Sequence, residues 1–453
     1  MLPDLIEIGP LDKPVRAEIT VPGSKSITNR TLILAALADG ETVLQGALWS
    51  EDTQIMVECL QELGFMVNVE PDPAEPCNRT ITVYGNGGAV PPGGTEAQPL
   101  DLFVGNAGTA ARFLSPFLCL GSGVYRLHGV PRMHERPQAA LFQALRELGY
   151  RVEAEKGNDK LPVKICGNEK LKIKNAKCLV SIEESSQFAS ALLLSSKIGG
   201  WQIEIVGENA EESPYVVMTS KLMEAFPKQG GKFQIEPDAS SASYFWAADW
   251  MLSLLEIMAA IRIQAADYQS SISIQDFSES QWQIDAAFVQ LISIEPHKLP
   301  ERFSRKYSYG DSIMTLITVA PLLIPHVVRF SDLGRLRVQE CERVVALRTE
   351  LTKCGAKVVE EGDTLTVYPA KLEELHGAEI ETYNDHRMAM CFAILGLKVP
   401  GIKIKNPACV KKTFPNFFQK IAAPPPHGLG AEIWEIKDGQ RTRKLSGEDL
   451  FAN

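Results

Sequence analysis

Three stretches of the chain repeat one arrangement of apolar and polar positions. Residues 60–67 (LQELGFMV), 145–152 (LRELGYRV) and 351–358 (LTKCGAKV) each place apolar side chains at helical spacing before a glycine and an apolar run after it. This arrangement predicts the end of an amphipathic helix, a glycine in the left-handed conformation that closes the helix, and a strand. The first two glycines, Gly64 and Gly149, lie 85 residues apart, which is the period of a supersecondary unit and too long for a short solenoid repeat.

The same periodicities predict the elements around these glycines. Helices are predicted over residues 51–63, 136–148 and 340–354. Alternating apolar positions predict strands over residues 17–21, 80–84 and 364–368. Because no G-x-G-x-x-G turn opens these units, they indicate a repeated α/β architecture that differs from a dinucleotide-binding sheet.

Length, charge and cysteine usage narrow the class of protein. A chain of 453 residues exceeds one usual core, so two or more domains are expected. The net charge of −10 argues against nucleic acid or an anionic membrane as the main partner. The most apolar window, residues 245–261, contains Asp249 and Glu256 and is too short and too charged to span a bilayer. Nine cysteines without a CxxC pair or metal-ligand spacing predict reduced thiols, no bound metal and a cytoplasmic location.

Two segments have the features of an anion-binding loop at the start of a helix. Residues 22–30 leave a strand through a glycine turn and enter a helix, with Lys25 and Arg30 supplying positive charge. Residues 105–112 place small residues at a helix start, which allows a ligand to approach the backbone. Backbone N–H groups at a helix N-terminus favour anions. A capped helix with solvated bases explains the first segment equally well, and a small-residue helix packed on a sheet explains the second, so spacing alone leaves both alternatives open.

Two further segments concentrate charged side chains. Residues 131–137 place Arg132 and Arg136 four positions apart around a helix start, and guanidinium groups suit carboxylates and phosphates. Residues 383–390 combine an acid, His386 and a base. Taken alone, the first is more often a solvated helix start and the histidine is more often structural.

Together these strings resemble the signatures of the 5-enolpyruvylshikimate-3-phosphate synthase family, in its order and approximate spacing. Residues 185–188, 238–245 and 412–415 also match, and the resemblance covers residues 5–245 and 308–420. Several independent strings in one order are far more specific than any single motif.

The resemblance implies the two-domain enolpyruvyl transferase fold, of the α/β (α+β) class. In that family each domain consists of three repeated βαβαββ units with pseudo-threefold symmetry, and the domains close on the substrates. The implied division is a discontinuous domain of residues 1–22 plus 238–422 and a second domain of residues 23–237. The polar tail, residues 423–453, is expected to be disordered.

The resemblance also implies the substrates and the residues that bind them. Shikimate 3-phosphate is expected to bind Lys25, Ser26, Arg30, Ser185, Ser186, Gln187, Tyr215 and Asp311. Phosphoenolpyruvate is expected to bind Lys25, Asn106, Gly108, Thr109, Arg132, Gln187, Arg343, Arg387 and Lys412. A substrate pair with two phosphates and two carboxylates needs several bases that converge from distant segments.

The implied reaction is an addition followed by an elimination, without a metal or an organic cofactor. The expected catalytic residues are Asp311 as the base for the 5-hydroxyl, Glu340 as the proton donor to C3, Lys25 and His386. The small residue Gly108 implies competition by glyphosate, an analogue of phosphoenolpyruvate. A monomer is the family expectation.

Four features depart from the family pattern. Gln339 stands where the family usually has a lysine that helps to hold shikimate 3-phosphate, and Arg335 stands where many members have asparagine. We hypothesise that Arg335 restores the missing charge. Glu212 replaces a serine, and residues 246–307 match poorly.

Two alternative functions follow from these observations. One is UDP-N-acetylglucosamine enolpyruvyl transferase, which is disfavoured because Ser26 follows the lysine and residues 131–137 contain no cysteine. The other is a non-catalytic homologue that binds phosphorylated ligands, which is disfavoured because Asp311, Glu340 and Lys412 are all present.

Overall fold

The chain divides into two compact units. The computed structural model describes residues 2–168, 176–207, 213–263, 270–277 and 280–452, without the side chains of residues 254–263 and 308. Unit 1 comprises Met1–Val21 and Pro237–Asn453, and unit 2 comprises Pro22–Glu236. No helix among the described residues is both long enough and apolar enough to cross a membrane.

The chain begins with two strands of unit 1 and then forms the whole of unit 2. The two strands are β1 (Leu5–Ile8) and β2 (Arg16–Ile19). The elements of unit 2 are α1 (Lys25–Leu37), β3 (Asp39–Leu48), α2 (Glu51–Glu62), β4 (Met66–Pro71), β5 (Asn78–Asn86), β6 (Leu100–Phe103), α3 (Gly108–Cys119), β7 (Ser122–His128), α4 (Ala139–Glu147), β8 (Arg151–Ala154), β9 (Val163–Asn168), β10 (Lys177–Ser181), α5 (Ser186–Gly199), β11 (Gln202–Val206), α6 (Pro214–Ala225) and β12 (Gly231–Gln234).

Unit 1 resumes after residue 236 with the same mixture of elements. These are α7 (Ala239–Ile263), β13 (Ser271–Ile274), α8 (Phe288–Leu291), β14 (Arg302–Ser304), α9 (Ile313–Leu323), β15 (Val328–Ser331), α10 (Arg343–Lys353), β16 (Val358–Glu361), β17 (Thr364–Val367), β18 (Glu379–Ile380), α11 (His386–Gly396), β19 (Lys403–Lys405), α12 (Phe417–Ala422), β20 (Ile433–Lys437) and β21 (Gln440–Leu445). The predicted α/β class is therefore observed.

The larger sheets share one topology. In the spatial order of the strands, the first and second strands of each sheet are parallel to each other. The second and third strands pair antiparallel, and so do the third and fourth. The strand orders are β12-β3-β5-β4 and β6-β7-β9-β8 in unit 2, and β14-β15-β17-β16 and β18-β19-β1-β20-β21 in unit 1. Each unit also has a two-stranded parallel sheet, β10-β11 in unit 2 and β13-β2 in unit 1. Three equal repeats in each domain stay a prediction.

The helix–glycine–strand pattern is confirmed at all three positions. Gly64, Gly149 and Gly355 follow α2, α4 and α10 with φ angles of +95°, +91° and +89°. Two backbone hydrogen bonds terminate α2 at Gly64. The Gly64 N–H donates to the Gln61 carbonyl, and the Phe65 N–H donates to the Leu60 carbonyl. This paired bonding satisfies the last helical carbonyls and needs a left-handed residue, which glycine adopts without a steric penalty.

Apolar helices form the interior of both units. Every residue of α3 is buried, and all of α11 except Arg387 is buried. A helix that is apolar on all sides belongs in a core, where it packs on other helices and sheets. Thr109 and Arg387 lie in the first turns of these helices, so these polar groups are positioned by buried elements.

The structure corrects the expectation for the C-terminal tail. Residues 433–445, expected to be disordered, form the hairpin β20–β21, and β20 pairs antiparallel with β1 with Ile6 opposite Glu435. Ile433 and Leu445 are buried in the hydrophobic core of unit 1. A largely polar segment can form strands when a partner edge is available and a few apolar side chains, here Ile433 and Leu445, reach the core, and the overall composition does not reveal these few residues.

Candidate active site

Five of the predicted site residues lie at the N-terminal ends of helices. Lys25, Gly108, Ser186, Arg343 and His386 are the first residues of α1, α3, α5, α10 and α11. The first N–H groups of a helix have no partner within the helix and its dipole is positive there, so these ends favour anions.

In unit 2, Lys25 is held by an acid from the next helix. Its Nζ lies 3.1 Å from Oδ2 of Asp52, whose side chain is 5% exposed, whereas that of Lys25 is 20% exposed. Asp52 lies in the first turn of α2, where the helix dipole also stabilises a carboxylate. The pair leaves part of the lysine ammonium accessible to a ligand.

Arg30 lies deeper in α1 and its hydrogen-bond acceptors are neutral. It donates to the Thr219 hydroxyl at 2.8 Å, the Ser190 hydroxyl at 3.1 Å and the Ser26 carbonyl at 2.9 Å. Burial lowers the pKa of Arg30 to about 10, although Tyr215 acts in the opposite direction. The guanidinium remains protonated at neutral pH, and a buried cation with neutral partners favours an anionic ligand nearby.

The start of α3 brings a second arginine against the backbone. Arg136 donates to the Asn106 carbonyl at 3.2 Å. A Cβ atom at position 108 would lie 2.6 Å from Nη2 of Arg136, so glycine is the residue that permits this approach. Asn106 itself has a buried side-chain oxygen without a hydrogen-bond partner among the described residues. Arg132 is more exposed and pairs with Glu135 at 2.7 Å.

Gln187 connects α5 with α3. Its amide oxygen accepts from Nη1 of Arg112 at 2.7 Å, and its amide nitrogen donates to the Thr109 hydroxyl at 3.3 Å. Its backbone N–H is bound by the Ser185 side chain, which caps α5. Two predicted substrate-binding residues, Thr109 and Gln187, are thus in direct contact within unit 2.

In unit 1, Asp311 is surrounded by guanidinium groups. Its Oδ1 lies 2.7 Å from Nη2 of Arg305, and its Oδ2 lies 3.4 Å from Nε of Arg387 and 3.6 Å from Nη1 of Arg343. Burial by itself raises the pKa of Asp311, but Arg387, Arg305 and Arg343 outweigh burial and hold the pKa below its ordinary value. Asp311 is therefore ionised at neutral pH.

Arg343 joins the predicted base to the predicted acid. Its Nη2 lies 2.9 Å from Oε2 of Glu340, and Lys412 approaches the other oxygen of Glu340 at 3.3 Å. The side chain of Asp385 binds Nε of Arg343 at 2.6 Å. The structure thus brings together the predicted residues Asp311, Glu340, Arg343, Arg387 and Lys412.

Another buried acid, Asp285, is connected to this cluster by hydrogen bonds. Asp285 accepts from the Ser312 N–H at 2.7 Å and from the Ser240 hydroxyl at 2.8 Å, while Ser240 accepts from Arg387 at 3.3 Å. Burial raises the pKa of Asp285 to about 6, although Arg387 counteracts part of that effect. Asp285 is therefore a group that changes protonation in mildly acidic solution.

Comparisons with known proteins agree on one family. A family model described as EPSP synthase (3-phosphoshikimate 1-carboxyvinyltransferase) matches residues 11–229 and 226–421. A 3-phosphoshikimate 1-carboxyvinyltransferase of Nostoc sp. (strain PCC 7120) is 36% identical over 460 residues, which cover 92% of this chain and 99% of the relative. One of Opitutus terrae is 37% identical over 453 residues, which cover 93% of this chain and 97% of the relative.

A solved structure shows the same fold. The EPSP synthase from Acinetobacter baumannii superimposes with a TM-score of 0.70 at 19% identity, covering 95% of this chain and all of that one. The chain belongs to the EPSP synthase family. The predicted two-domain enolpyruvyl transferase fold is confirmed.

The residues at which this EPSP synthase family member departs from the family pattern lie in different parts of the structure. Gln339 lies in the unit 1 cluster: its amide oxygen accepts from Arg343, and its amide nitrogen lies 3.5 Å from Oδ1 of Asp311. Arg335 lies in the 3₁₀ segment Gly334–Val338 and is partly buried. Glu212 lies outside the described residues. In the poorly matching segment 246–307, the long helix α7 is followed by β13, the single-turn helix α8 and the short strand β14.

Three residues of the cluster around Asp311 were not predicted from the sequence: Asp385, Asp285 and Arg305. Asp385 was inside a matched string, and the N-cap position before α11 was a usable signal because aspartate is favoured there. Asp285 and Arg305 lie in the stretch that resembles the family least.

The predicted residue His386 is 1% exposed, and its Nδ1 atom lies 3.7 Å from Oδ1 of Asp385.

Proposed function

We propose that this chain transfers the enolpyruvyl group of phosphoenolpyruvate to the 5-hydroxyl of shikimate 3-phosphate and releases phosphate. Family membership supports this reaction. The single structural observation that carries the proposal is the unit 1 cluster, in which Asp311 and Glu340 are both bound by Arg343. A base and an acid that share one cation suit a reaction in which protons are removed and delivered within one substrate complex.

We assign the acceptor substrate chiefly to unit 2. The proposed ligands of shikimate 3-phosphate are Lys25, Ser26, Arg30, Ser185, Ser186, Gln187, Tyr215 and Asp311. The buried guanidinium of Arg30, which is bound to neutral oxygens, supports this assignment. The hydroxyls of α5 supply further donors for a phosphate.

We assign phosphoenolpyruvate chiefly to positively charged side chains. Its proposed ligands are Lys25, Asn106, Gly108, Thr109, Arg132, Gln187, Arg343, Arg387 and Lys412. Guanidinium groups bind carboxylate and phosphate oxygens in pairs, and they stabilise charge that develops on those oxygens.

In the proposed chemistry the 5-hydroxyl oxygen attacks C2 of phosphoenolpyruvate. The hydroxyl proton passes to Asp311, and C3 takes a proton from Glu340. Phosphate then leaves C2 with the electrons of the C–O bond and takes up the proton held by Asp311, while C3 returns a proton to Glu340, which restores the double bond and both side chains. Glu340 contacts Arg343 and Lys412, two proposed ligands of phosphoenolpyruvate, so the proton for C3 comes from a carboxyl group beside the bound substrate. Lys25 and His386 complete the proposed catalytic set.

The same proposal extends to the inhibitor, the oligomeric state, the location and the domain limits of the protein. We propose that glyphosate competes with phosphoenolpyruvate, that the protein acts as a monomer in the cytoplasm, and that no cofactor takes part. We also propose that units 1 and 2 correspond to the two family domains, with domain limits of 1–22 plus 238–422 and 23–237.

Phosphate release tests the proposed reaction. Purified protein is given phosphoenolpyruvate with shikimate 3-phosphate, and separately with UDP-N-acetylglucosamine. We expect release with shikimate 3-phosphate only, and a loss of about 100-fold or more in Asp311→Asn. Asp438→Asn is the matched control, because Asp438 lies exposed at the turn between β20 and β21.

The other outcomes identify the alternatives. Release with UDP-N-acetylglucosamine would assign the chain to the other enolpyruvyl transfer. Folded protein that binds shikimate 3-phosphate without any release would be the non-catalytic homologue, an alternative that the replacement of lysine by Gln339 keeps open.

A further inference from the structure

The two carboxylate oxygens of Asp311 have different partners. Oδ1 lies 2.7 Å from Nη2 of Arg305 and 3.5 Å from the amide nitrogen of Gln339. Oδ2 faces Arg387 at 3.4 Å and Arg343 at 3.6 Å. The contact with Arg305 is the shortest of these and has the length of a charge-assisted hydrogen bond, whereas the contacts to Oδ2 are longer and weaker.

The local chain brings Arg305 and Asp311 together. Residues Arg305–Tyr309 form a single π-helical turn, and the Gly310 N–H closes it by donating to the Arg305 carbonyl at 3.1 Å. Gly310 has a φ of +50°, and a Cβ atom there would lie 2.8 Å from the Ile284 side chain. The turn therefore requires glycine, and it places two residues that are six positions apart side by side.

Arg305 is a buried charge at this position. The residue is 7% exposed, and its Nε has no hydrogen-bond partner among the described residues. A guanidinium that is removed from water is stabilised chiefly by the ion pair it makes, so its orientation depends on Asp311.

Arg305 adds a positive charge to a cluster of buried acids and bases. The acids of this cluster include Asp285, Asp311, Glu340 and Asp385, and its cations include Arg305, Arg343, Arg387 and Lys412. Gln339 occupies the position at which the family usually has a lysine, and it supplies a hydrogen-bond donor without charge. Arg305 supplies a positive charge to the same carboxylate oxygen that Gln339 approaches.

We propose that Arg305 is a positioning residue for Asp311, which it holds through Oδ1 so that Oδ2 is the atom that accepts the proton of the 5-hydroxyl. This inference rests on the proposed function. Arg343 and Arg387, which make the longer contacts with Oδ2, are assigned to phosphoenolpyruvate and share their positive charge with that substrate when it binds. Arg305 has no such assignment and keeps Oδ1 in place, so the carboxylate stays oriented while Oδ2 becomes available.

Substitution of Arg305 separates positioning from binding. We expect Arg305→Met to lower kcat by about 10- to 100-fold while the KM for phosphoenolpyruvate changes less than about twofold, because misplacing one reacting group affects the chemical step. Arg305→Lys should recover part of kcat. Arg302→Met is the control, because Arg302 is exposed on β14 three residues earlier, and it should retain wild-type kcat.

The pH profile gives a readout that general destabilisation does not mimic. Asp311 is faced by Arg305, Arg343, Arg387 and Asp285. Removal of the nearest cation raises the pKa of Asp311, so the acid limb of kcat/KM is expected to move to higher pH in Arg305→Met and to move back in Arg305→Lys.

A double-mutant cycle decides whether Arg305 acts through Asp311. In the Asp311→Asn background, Arg305→Met should lower kcat by less than about twofold. A full additional loss in that background, or wild-type kcat and acid limb in folded Arg305→Met, overturns the inference. If Arg305→Met does not fold, Arg305→Lys and Arg305→Gln replace it, and wild-type kcat in both likewise overturns the inference. The proposed function fails separately, when wild-type protein releases no phosphate.

Discussion

Arg343 and Asp385 form a buried ion pair with two hydrogen bonds, with Nε 2.6 Å from Oδ2 and Nη2 3.2 Å from Oδ1. Their side chains are 1% and 0% exposed. Asp385 also accepts from the Arg387 N–H at 2.9 Å as the N-cap of α11. One carboxylate therefore fixes the start of α11 and the guanidinium at the start of α10, and both arginines are proposed to bind phosphoenolpyruvate.

We expect Asp385→Asn to reduce both stability and activity. Loss of the charge removes the closest acid of the buried Arg343 guanidinium, which keeps Glu340 and Asp311, so the cost in unfolding free energy is about 3 kcal/mol, at the lower end for breaking a buried ion pair. Urea unfolding measures this cost, and steady-state kinetics should show kcat/KM for phosphoenolpyruvate about 100-fold lower. Asp438→Asn, at an exposed turn of the same unit, should change neither quantity. Equal stability of Asp385→Asn and wild type would contradict the assigned ion pair.

Gly108→Ala is expected to displace Arg136. The added Cβ atom would lie 2.6–2.7 Å from the three terminal guanidinium atoms, so the arginine must move away from the Asn106 carbonyl. We expect the KM for phosphoenolpyruvate to rise about 10-fold, with little change in the KM for shikimate 3-phosphate. If crowding acts through Arg136, the effects of Gly108→Ala and Arg136→Ala will not add in the double variant. Strict additivity would refute this cause.

The hypothesis that Arg335 replaces the missing lysine charge stays a prediction and has its own test. Arg335→Ala should raise the KM for shikimate 3-phosphate about 10-fold and leave the KM for phosphoenolpyruvate unchanged, because one ion contact with a phosphate is lost. Arg335→Lys, which keeps the charge, should lie close to wild type. An unchanged KM in Arg335→Ala would leave Arg305 as the compensating charge.

Asp285 makes stability depend on pH in a mildly acidic window. Burial, its largest cause, raises the pKa from the ordinary 3.8 to about 6, so the folded state binds the proton more tightly than the unfolded state. The resulting stabilisation is present below about pH 4 and is lost as the pH rises through about 6, which amounts to about 3 kcal/mol. Asp285→Asn lacks this contribution.

Urea unfolding of wild type and Asp285→Asn between pH 4 and 7 tests that sign. The wild type should lose stability relative to the variant as the pH increases, because asparagine has no proton to release. A difference between the two proteins that is constant across this range would show that Asp285 titrates elsewhere.

Local sequence determined the elements whose hydrogen bonds are local. The ends of α2, α4 and α10 could be predicted because the closing bonds run between neighbours such as Phe65 and Leu60, and because glycine alone takes the required φ without a penalty. Of the predicted helix starts, that of α2 at Glu51 is observed, whereas α4 and α10 each begin three residues later than predicted. Residues 340–354 were predicted as helix, but α10 begins at Arg343 because the Glu342 side chain caps it by accepting from the Val345 N–H. The segments 22–30 and 105–112 were likewise predicted to enter helices, and Lys25 and Gly108 are the first residues of α1 and α3.

Only the tertiary structure decided which groups meet. Asp285 and Arg387 are about a hundred residues apart, and Ser240 connects them. The pairing of Arg343 with Asp385 and the pairing of β20 with β1 also join distant segments. Such contacts arise when buried helices and strands pack, and the charge environment of each carboxylate follows from that packing. Spacing along the chain carries no information on these distances, so the sequence marked the candidate residues and the fold determined their partners.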